Sequence, residues 1–541
     1  MARKTFLQGA VVLGVAGLII KVMGAVFRIP LANIIGDTGM GYYQTAYPVY
    51  VLLLTLSTAG VPVAISRMVA ERNALGNNYE AYRVFRISFA LLFAIGISSS
   101  AVLFFGAEAI VTHLGNPGAK MAMMSIAPAL LFVPMMASFR GFFQGLQNMN
   151  PTAISQVVEQ LFRVAAGLTL AVVLVDRGLE YAAAGASFGA TAGSVMGLLT
   201  VVGLFLYHRR NILEGVVRIK GERSESSSRI LIQILAIAIP ITIGAAIMPI
   251  MNTIDVAIVI KRLAASGFTP DAANSLYGQL TGMAGPLINF PQVLTQAIAM
   301  SLVPAVAAAY KRKEMDFLRY NVELGLRTSL ILGLPCALGL MTLSEPIMLL
   351  LYPAQRASAV SAAPSLFILS FGVIFLATVQ TLTGVLQGIG RQLISVRNLA
   401  VGALAKVVLT YYLTAIPSIN IRGAAVGTVC AYIVASALNL VAVSKYTGTR
   451  FDLRLTIIKP LVSGLVMSGF VFAAHRVVYM VLGNVTDSVN KANALATVLA
   501  ILVGVLVYFV MLIKTRTITS EELKLLPRGD KWIRLFDRFK K

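Results

Sequence analysis

Apolar residues run along this chain in long uninterrupted stretches, broken by short polar segments. A helix crossing a bilayer needs about 20 mostly apolar residues at roughly 1.5 Å each. Fourteen such stretches are present, at about 6–35, 42–71, 84–107, 121–148, 152–175, 181–207, 230–260, 275–310, 321–352, 361–389, 392–415, 421–446, 455–480 and 490–514. Several are longer than a bilayer requires, which predicts tilted or kinked helices. The pattern predicts an all-α polytopic membrane protein with about 14 transmembrane helices. Composition agrees: 57% of the 541 residues are hydrophobic and 12% charged, against about 25% charged in an ordinary soluble domain. Soluble, disordered and fibrous classes are thereby excluded.

The net charge of +23 would point to nucleic acid in a soluble protein. Here the placement of the charge says otherwise. Of 45 Lys and Arg, 30 fall in the N-terminus, alternate loops and the C-terminal tail, eight on the opposite side and seven within the stretches. Cationic loops stay on the cytoplasmic side, so both termini are expected there, with no nucleic-acid partner. Arg3 and Lys4 before an apolar run imitate a signal peptide. The run continues to about Ile35 without a cleavage pattern, and is read as a retained first helix. The tail places Trp532, Leu535, Phe536 and Phe539 on one helical face among Lys531, Arg534 and Arg538, the pattern of a basic helix lying on the inner leaflet.

Weak internal matches recur at nearly one offset. Arg140-Gly-Phe-Phe-Gln-Gly145 matches Thr383-Gly-Val-Leu-Gln-Gly388, Val61-Pro62 matches Val303-Pro304, and Gly185-Ala-Ser-Phe-Gly189 matches Gly423-Ala-Ala-Val-Gly427. A duplication of six helices keeps the same orientation in the membrane, giving two parallel six-helix lobes plus two extra C-terminal helices. The expected division is 1–222 for the first lobe, 223–447 for the second, 448–515 for the extra pair and 516–541 for the tail. Two lobes of this kind suggest a transporter with its substrate near the midplane between them.

Charges inside the stretches carry the chemistry, because each costs about 2.5–3.5 kcal/mol at a helix centre. Arg163 lies near the midplane of the fifth helix, and Lys406 is its repeat mate in the eleventh. The functional reading sets two cations facing a common cleft; the bland one pairs Arg163 with Glu159 one turn earlier. Gly14, Gly17, Lys21, Gly24 and Arg28 share one face of the first helix, where small residues either admit another backbone or widen a groove beside two cations. Arg67 and Arg140 are further candidates, with interfacial anchoring the simpler role. Arg327 is read as snorkelling to the surface. Glu159 and Asp255 are the candidates for coupling. The bias is cationic, which suits phosphate; a drug or cation exporter would present carboxylates. His113, His208 and His475 are scattered, Cys336 and Cys430 sit inside helices, and no metal motif, catalytic triad or phosphate loop is found. No cofactor is expected; movement would be driven by a coupling cation (H+ or Na+) or the membrane potential.

The segment Arg140-Gly-Phe-Phe-Gln-Gly-Leu-Gln-Asn-Met-Asn-Pro151, with Ser155-Gln-Val-Val-Glu-Gln160 and Arg163, resembles the SpoVB-like (stage V sporulation protein B) branch of the MOP flippase superfamily. So do Thr5-Phe-Leu-Gln-Gly9, Gly60-Val-Pro-Val-Ala-Ile-Ser66, Leu276-Tyr-Gly-Gln279 and Gly282-Met-Ala-Gly-Pro-Leu287. The resemblance implies a MOP/MATE-like fold in a bacterial cytoplasmic membrane. It implies flipping of undecaprenyl-pyrophosphate-linked sugars, such as lipid II or a related peptidoglycan or polysaccharide precursor, around a cationic cavity. The first-helix arginines of related MurJ-type lipid II flippases match Lys21 and, with a one-residue shift, Arg28; their second- and eighth-helix cavity arginines fall near Thr55 and Pro286. The expected pyrophosphate-binding set is therefore Lys21, Arg28, Arg163 and Lys406. The alternatives are a multidrug or cation antiporter of the same superfamily, which needs cavity carboxylates, and a membrane-embedded glycan-modifying enzyme, for which no catalytic cluster is found.

The topology is checked with C-terminal fusions. A fluorescent protein appended after Lys541 is expected to fluoresce and alkaline phosphatase at the same place to be inactive; the reverse result overturns the orientation.

Overall fold

The computed structural model describes residues 2–214, 225–483 and 488–517, with side chains described from Val12 onward; the amphipathic basic tail expected at 516–541 lies almost wholly outside them. The described residues form helices joined by short turns. Helix α1 (Ala2–Thr58) is followed by α2 (Val61–Ala74), α3 (Asn78–Leu114), α4 (Lys120–Ile126), α5 (Ala129–Gly145), α6 (Asn150–Leu174) and α7 (Leu179–Glu214). Then come α8 (Ser227–Ala265), α9 (Pro270–Gly278), a π-helical segment (Gln279–Ala284), α10 (Gly285–Arg312), α11 (Met315–Thr342), α12 (Ser344–Leu351) and α13 (Arg356–Gly388). Helices α14 (Gln392–Leu413), α15 (Arg422–Thr447), α16 (Lys459–Gly483) and α17 (Val489–Lys514) complete the described helices.

Thirteen of these helical stretches are long and apolar enough to cross a membrane. The first, Val12–Ala74, has 63 residues, or about 95 Å of helix against roughly 30 Å of hydrocarbon. It breaks at Gly36, whose φ of 65° and ψ of −174° no helix accommodates. Counting the pass before Gly36 and the pass after it separately gives fourteen candidate crossings among the described residues. The second pass, read as continuous over 42–71, is interrupted at Ala59–Gly60. There the Gly60 N–H donates to Thr242 Oγ1 (3.2 Å) and the missing side chain admits the Ala238 backbone of α8.

Packing divides the chain into two compact units, Met1–Gly282 and Met283–Lys541. Helices α8 and α9 pack in the first unit, on α1, α2 and α3. The chain passes into the second unit inside the π-helical segment, later than the lobe boundary at 222/223 that the repeat suggests. A duplication records descent, whereas a compact unit records which surfaces are in contact, and the two divisions need not coincide.

Each unit repeats the same contacts. In the first, Gly141 and Gly145 of α5 close on Pro62, Ser66 and Val69 of α2. In the second, Gly384 and Gly388 of α13 close on Ala299, Val303 and Val306 of α10. Val303 thus stands where Ser66 stands, so the Val61-Pro62 and Val303-Pro304 match is out of register. Gly185 and Gly189 of α7 meet Leu170 and the Arg163 carbonyl of α6, just as Gly423 and Gly427 of α15 meet Leu413 and the Lys406 carbonyl of α14. The first unit also holds an aromatic core of Phe85, Phe139, Phe142 and Phe205, with ring centroids 4.9–6.2 Å apart.

A Cβ at Gly145 would lie 2.6 Å from the Val69 Cβ, whereas nothing lies within 4 Å of one at Gly14. Gly145→Leu is expected to cost about 1–3 kcal/mol through overpacking and lower the detergent melting midpoint; Gly14→Leu is expected to leave it unchanged. Equal midpoints would refute the close-approach role.

Candidate functional site

Helix α7 carries Gly185, Gly189, Gly193 and Gly197, four residues apart and therefore on one face. Their bare backbone lies against Leu170, Arg163, Glu159 and Ser155 of α6 in turn. Membrane helices pack closely through such small residues because no hydrophobic effect drives them together. The result is a backbone platform that holds two charged residues of α6 in place.

Above that platform three ionic side chains meet. Glu159 Oε2 accepts from Arg140 Nη2 of α5 (3.0 Å), and Glu159 Oε1 accepts from Arg163 Nη2 (3.4 Å). Arg140 Nε also donates to Ser155 Oγ (2.9 Å). The side chains of Arg140, Glu159 and Arg163 are 12%, 15% and 18% exposed, so the group carries one net positive charge in largely apolar surroundings. Its donors exceed its acceptors: Arg163 Nε is buried with no hydrogen-bond partner, as is the Tyr50 hydroxyl. Tyr43, Tyr47 and Tyr50 line the α1 side, with rings 5.7 Å and 6.0 Å apart. Arg28 and Arg163 both lie close enough to Tyr43 for their charges to act on its hydroxyl.

The structure therefore brings Arg140, Glu159 and Arg163 together in the first unit, with Arg28 on the tyrosine side of α1. Arg140, a further candidate cavity cation for which interfacial anchoring was the simpler role, instead donates to Glu159. Arg67 does not join them: it is exposed and paired with Glu71 at 2.8 Å, as an interfacial residue would be. Lys21 is exposed on α1, one turn before Gly24, which faces Gln160 of α6. Lys406 is half-buried in the second unit. Asp255 is half-buried on α8, near enough to Tyr277 for its charge to act there. Arg327 is 7% exposed on α11, within reach of the charges of Glu323 and Asp452; it is held locally and does not snorkel.

The second unit keeps the position of the cation but not the acid and the second arginine beside it. At the repeat offset Arg140, Glu159 and Arg163 become Thr383, Gly402 and Lys406. Thr383 Oγ1 lies 2.5 Å from Ser395 Oγ, and Asn398 Nδ2 donates to Asn439 Oδ1 (2.9 Å). Gly402 sits against the Ala431 backbone.

A second polar cluster was not anticipated from sequence. After the break at Gly36, Asp37 Oδ2 accepts from Ser275 Oγ (2.7 Å) and Gln279 Nε2 (2.8 Å). Asn274 Nδ2 donates to the Thr38 carbonyl (2.9 Å), Asn116 Nδ2 to Asn274 Oδ1 (2.8 Å), and Gln44 Nε2 to the Thr281 carbonyl (2.6 Å). Gly41, Gly278 and Gly282 make room, since side chains there would meet Asn274, Asp37 and Met40. These residues tie the start of the second pass to α9, at the end opposite the cation-rich loops. Polar residues at span ends are ordinary, so only the recurring glycines hinted at a close crossing.

The family model described as "Polysaccharide biosynthesis protein" matches residues 6–310, more than half of the chain. The chain belongs to this polysaccharide biosynthesis protein family. Family relatives extend over its whole length. "Stage V sporulation protein B" of Bacillus subtilis (strain 168) is 29% identical over 533 residues, 97% of this chain and 98% of the relative. "Lipid II flippase MurJ" of the same organism is 27% identical over 518 residues, covering 93% and 94%. Among solved structures, "Lipid II flippase MurJ, inward closed conformation" aligns with a TM-score of 0.69 at 15% identity, covering 94% of this chain and 99% of that one. An inward-facing "multidrug resistance MATE family transporter of the MOP superfamily" aligns with a TM-score of 0.66 at 14% identity, covering 79% and 94%. This family member is accordingly a multi-pass membrane protein with the MOP transporter fold.

Removing Asp37 is expected to loosen α9. In Asp37→Ala, amide exchange over 270–281 rises, because three donors lose their acceptor. Unchanged exchange would show that the glycine packing alone holds the crossing.

Proposed function

We propose that this family member is a flippase for undecaprenyl-pyrophosphate-linked sugars, working in a bacterial cytoplasmic membrane with both termini on the cytoplasmic side. The observation that carries this reading is the sign of the buried cluster. Arg140 and Arg163 share one acid, Glu159, and that acid is engaged by both guanidiniums, with Arg28 near Tyr43 on the α1 side. Guanidinium forks match phosphate oxygens in geometry and charge. A carboxylate already held by two arginines is a poor seat for a cationic drug, so the antiporter alternative loses its best candidate. The relatives named for lipid II flipping and for polysaccharide biosynthesis support the same class of substrate.

In this mechanism Lys21, Arg28 and Arg163 of the first lobe hold the pyrophosphate, and Lys406 is the corresponding cation of the second. The polyprenyl tail stays in lipid, where each buried CH2 is worth about 0.8 kcal/mol, and only the polar headgroup crosses. The Asp37 network closes the end opposite the cation-rich loops, and its hydrogen bonds must break for release there. A coupling cation or the membrane potential drives the cycle.

Neutralising both repeat-related cations tests the reading. Arg163→Gln/Lys406→Gln is expected to abolish translocation in a precursor-accessibility assay while the protein still inserts. Normal translocation by that variant would remove pyrophosphate binding from these residues.

A further inference from the structure

The proposed pyrophosphate site contains a feature that holding an anion does not require: a carboxylate already seated in it. Glu159 competes for the same guanidiniums that a phosphate would use. A purely structural ion pair is best made by one arginine gripping one carboxylate through two parallel bonds. Here Glu159 divides its oxygens, one to Arg140 at 3.0 Å and one to Arg163 at the longer 3.4 Å. Arg140 has a second tie to Ser155. Arg163 has none, and its buried Nε stands without an acceptor beside the unpartnered Tyr50 hydroxyl. Buried donors left unmade cost about 1–3 kcal/mol each and in native proteins mark a missing water, ion or ligand. The grip on Glu159 is thus firm on one side and weak on the other, and the weak side is the one with vacant donors.

We propose that Glu159 is a built-in counter-anion. In the empty carrier it offsets part of the arginines' charge, and on loading it yields Arg163 to a pyrophosphate oxygen while keeping Arg140. This inference rests on the pyrophosphate reading above and adds the role of the acid. Its use follows from transport itself. Two buried arginines with no acid would be costly when empty and would hold a pyrophosphate too deeply to release it; a site that cycles gains nothing from tight ground-state binding. An exchangeable carboxylate levels the two states, since the guanidinium trades one oxyanion for another. The device belongs to one copy of the repeat. In the second, Gly402 takes the place of Glu159 and Thr383 that of Arg140, so only the first unit can make the exchange.

The test uses the full-length protein in nanodiscs, with undecaprenyl pyrophosphate and inorganic pyrophosphate as probes. Glu159→Gln is expected to bind undecaprenyl pyrophosphate about tenfold more tightly, the size of one charged hydrogen bond regained, and to flip more slowly because release becomes limiting. Arg163→Gln is expected to weaken binding, so the two substitutions move affinity in opposite directions. Inorganic pyrophosphate should raise the melting point of Glu159→Gln more than that of the wild type, because it replaces the lost carboxylate; a shift confined to the lipid-linked probe would place recognition in the tail and overturn the proposal. If Glu159→Gln fails to fold, Glu159→Asp decides: it keeps the charge, shortens the reach to Arg163, and should bind more tightly than wild type. Binding by wild type with no tightening in these variants overturns the counter-anion role alone. No binding of either probe by wild type overturns the pyrophosphate reading and this inference together.

Discussion

A guanidinium cannot sit alone in hydrocarbon. That constraint shapes the first unit more than any other. Arg163 lies in the middle of a membrane-crossing helix, and the fold answers with Glu159 one turn earlier, Arg140 from the neighbouring helix to share the acid, and a wall of tyrosines. For these groups to meet, α6 must be held without play. The four glycines of α7 do this by letting two backbones touch, an arrangement that larger side chains would pry apart. The charge cluster and the glycine face are therefore one device: the second supplies the rigidity that the first needs.

The two copies of the repeat show what is architectural in this arrangement and what is particular. Glycines facing Leu170 and Arg163 in one unit face Leu413 and Lys406 in the other. The platform recurs, and a cation recurs on it. The acid and the second arginine do not, being replaced by Gly402 and Thr383, with hydroxyls and amides of Ser395, Asn398 and Asn439 nearby. Neutral polar groups can satisfy one another in a membrane at much lower cost than ions, so this copy is spared the need for a counter-charge beside Thr383. The same scaffold thus presents two different electrostatic faces.

The clasp at Asp37 works under a different constraint. Asp37 follows a helix break and gathers donors from Thr38, Ser275 and Gln279, while buried Asn116 and Asn274 extend the network. Side-chain hydrogen bonds of this kind are individually modest. They fasten the start of the second pass to α9 without burying an ion pair. The ion cluster, by contrast, sits on the tightest helix pair of the unit.

Much of this was legible in the sequence, for identifiable reasons. Hydrocarbon demands long apolar runs, so the crossings could be counted. The pairing of Arg163 with Glu159 follows from helical spacing alone. Tertiary structure decided what spacing cannot reach. Arg140 and Glu159 are distant in sequence and meet only because α5 and α6 pack, which turned an expected anchor into a shared partner. Val303 proved equivalent to Ser66 because packing, and not residue identity, defines register. The Asp37 clasp joins residues more than two hundred positions apart, each unremarkable at its own span end. Local periodicity determines what one helix must be; only contact between helices determines which of its charged residues share a partner.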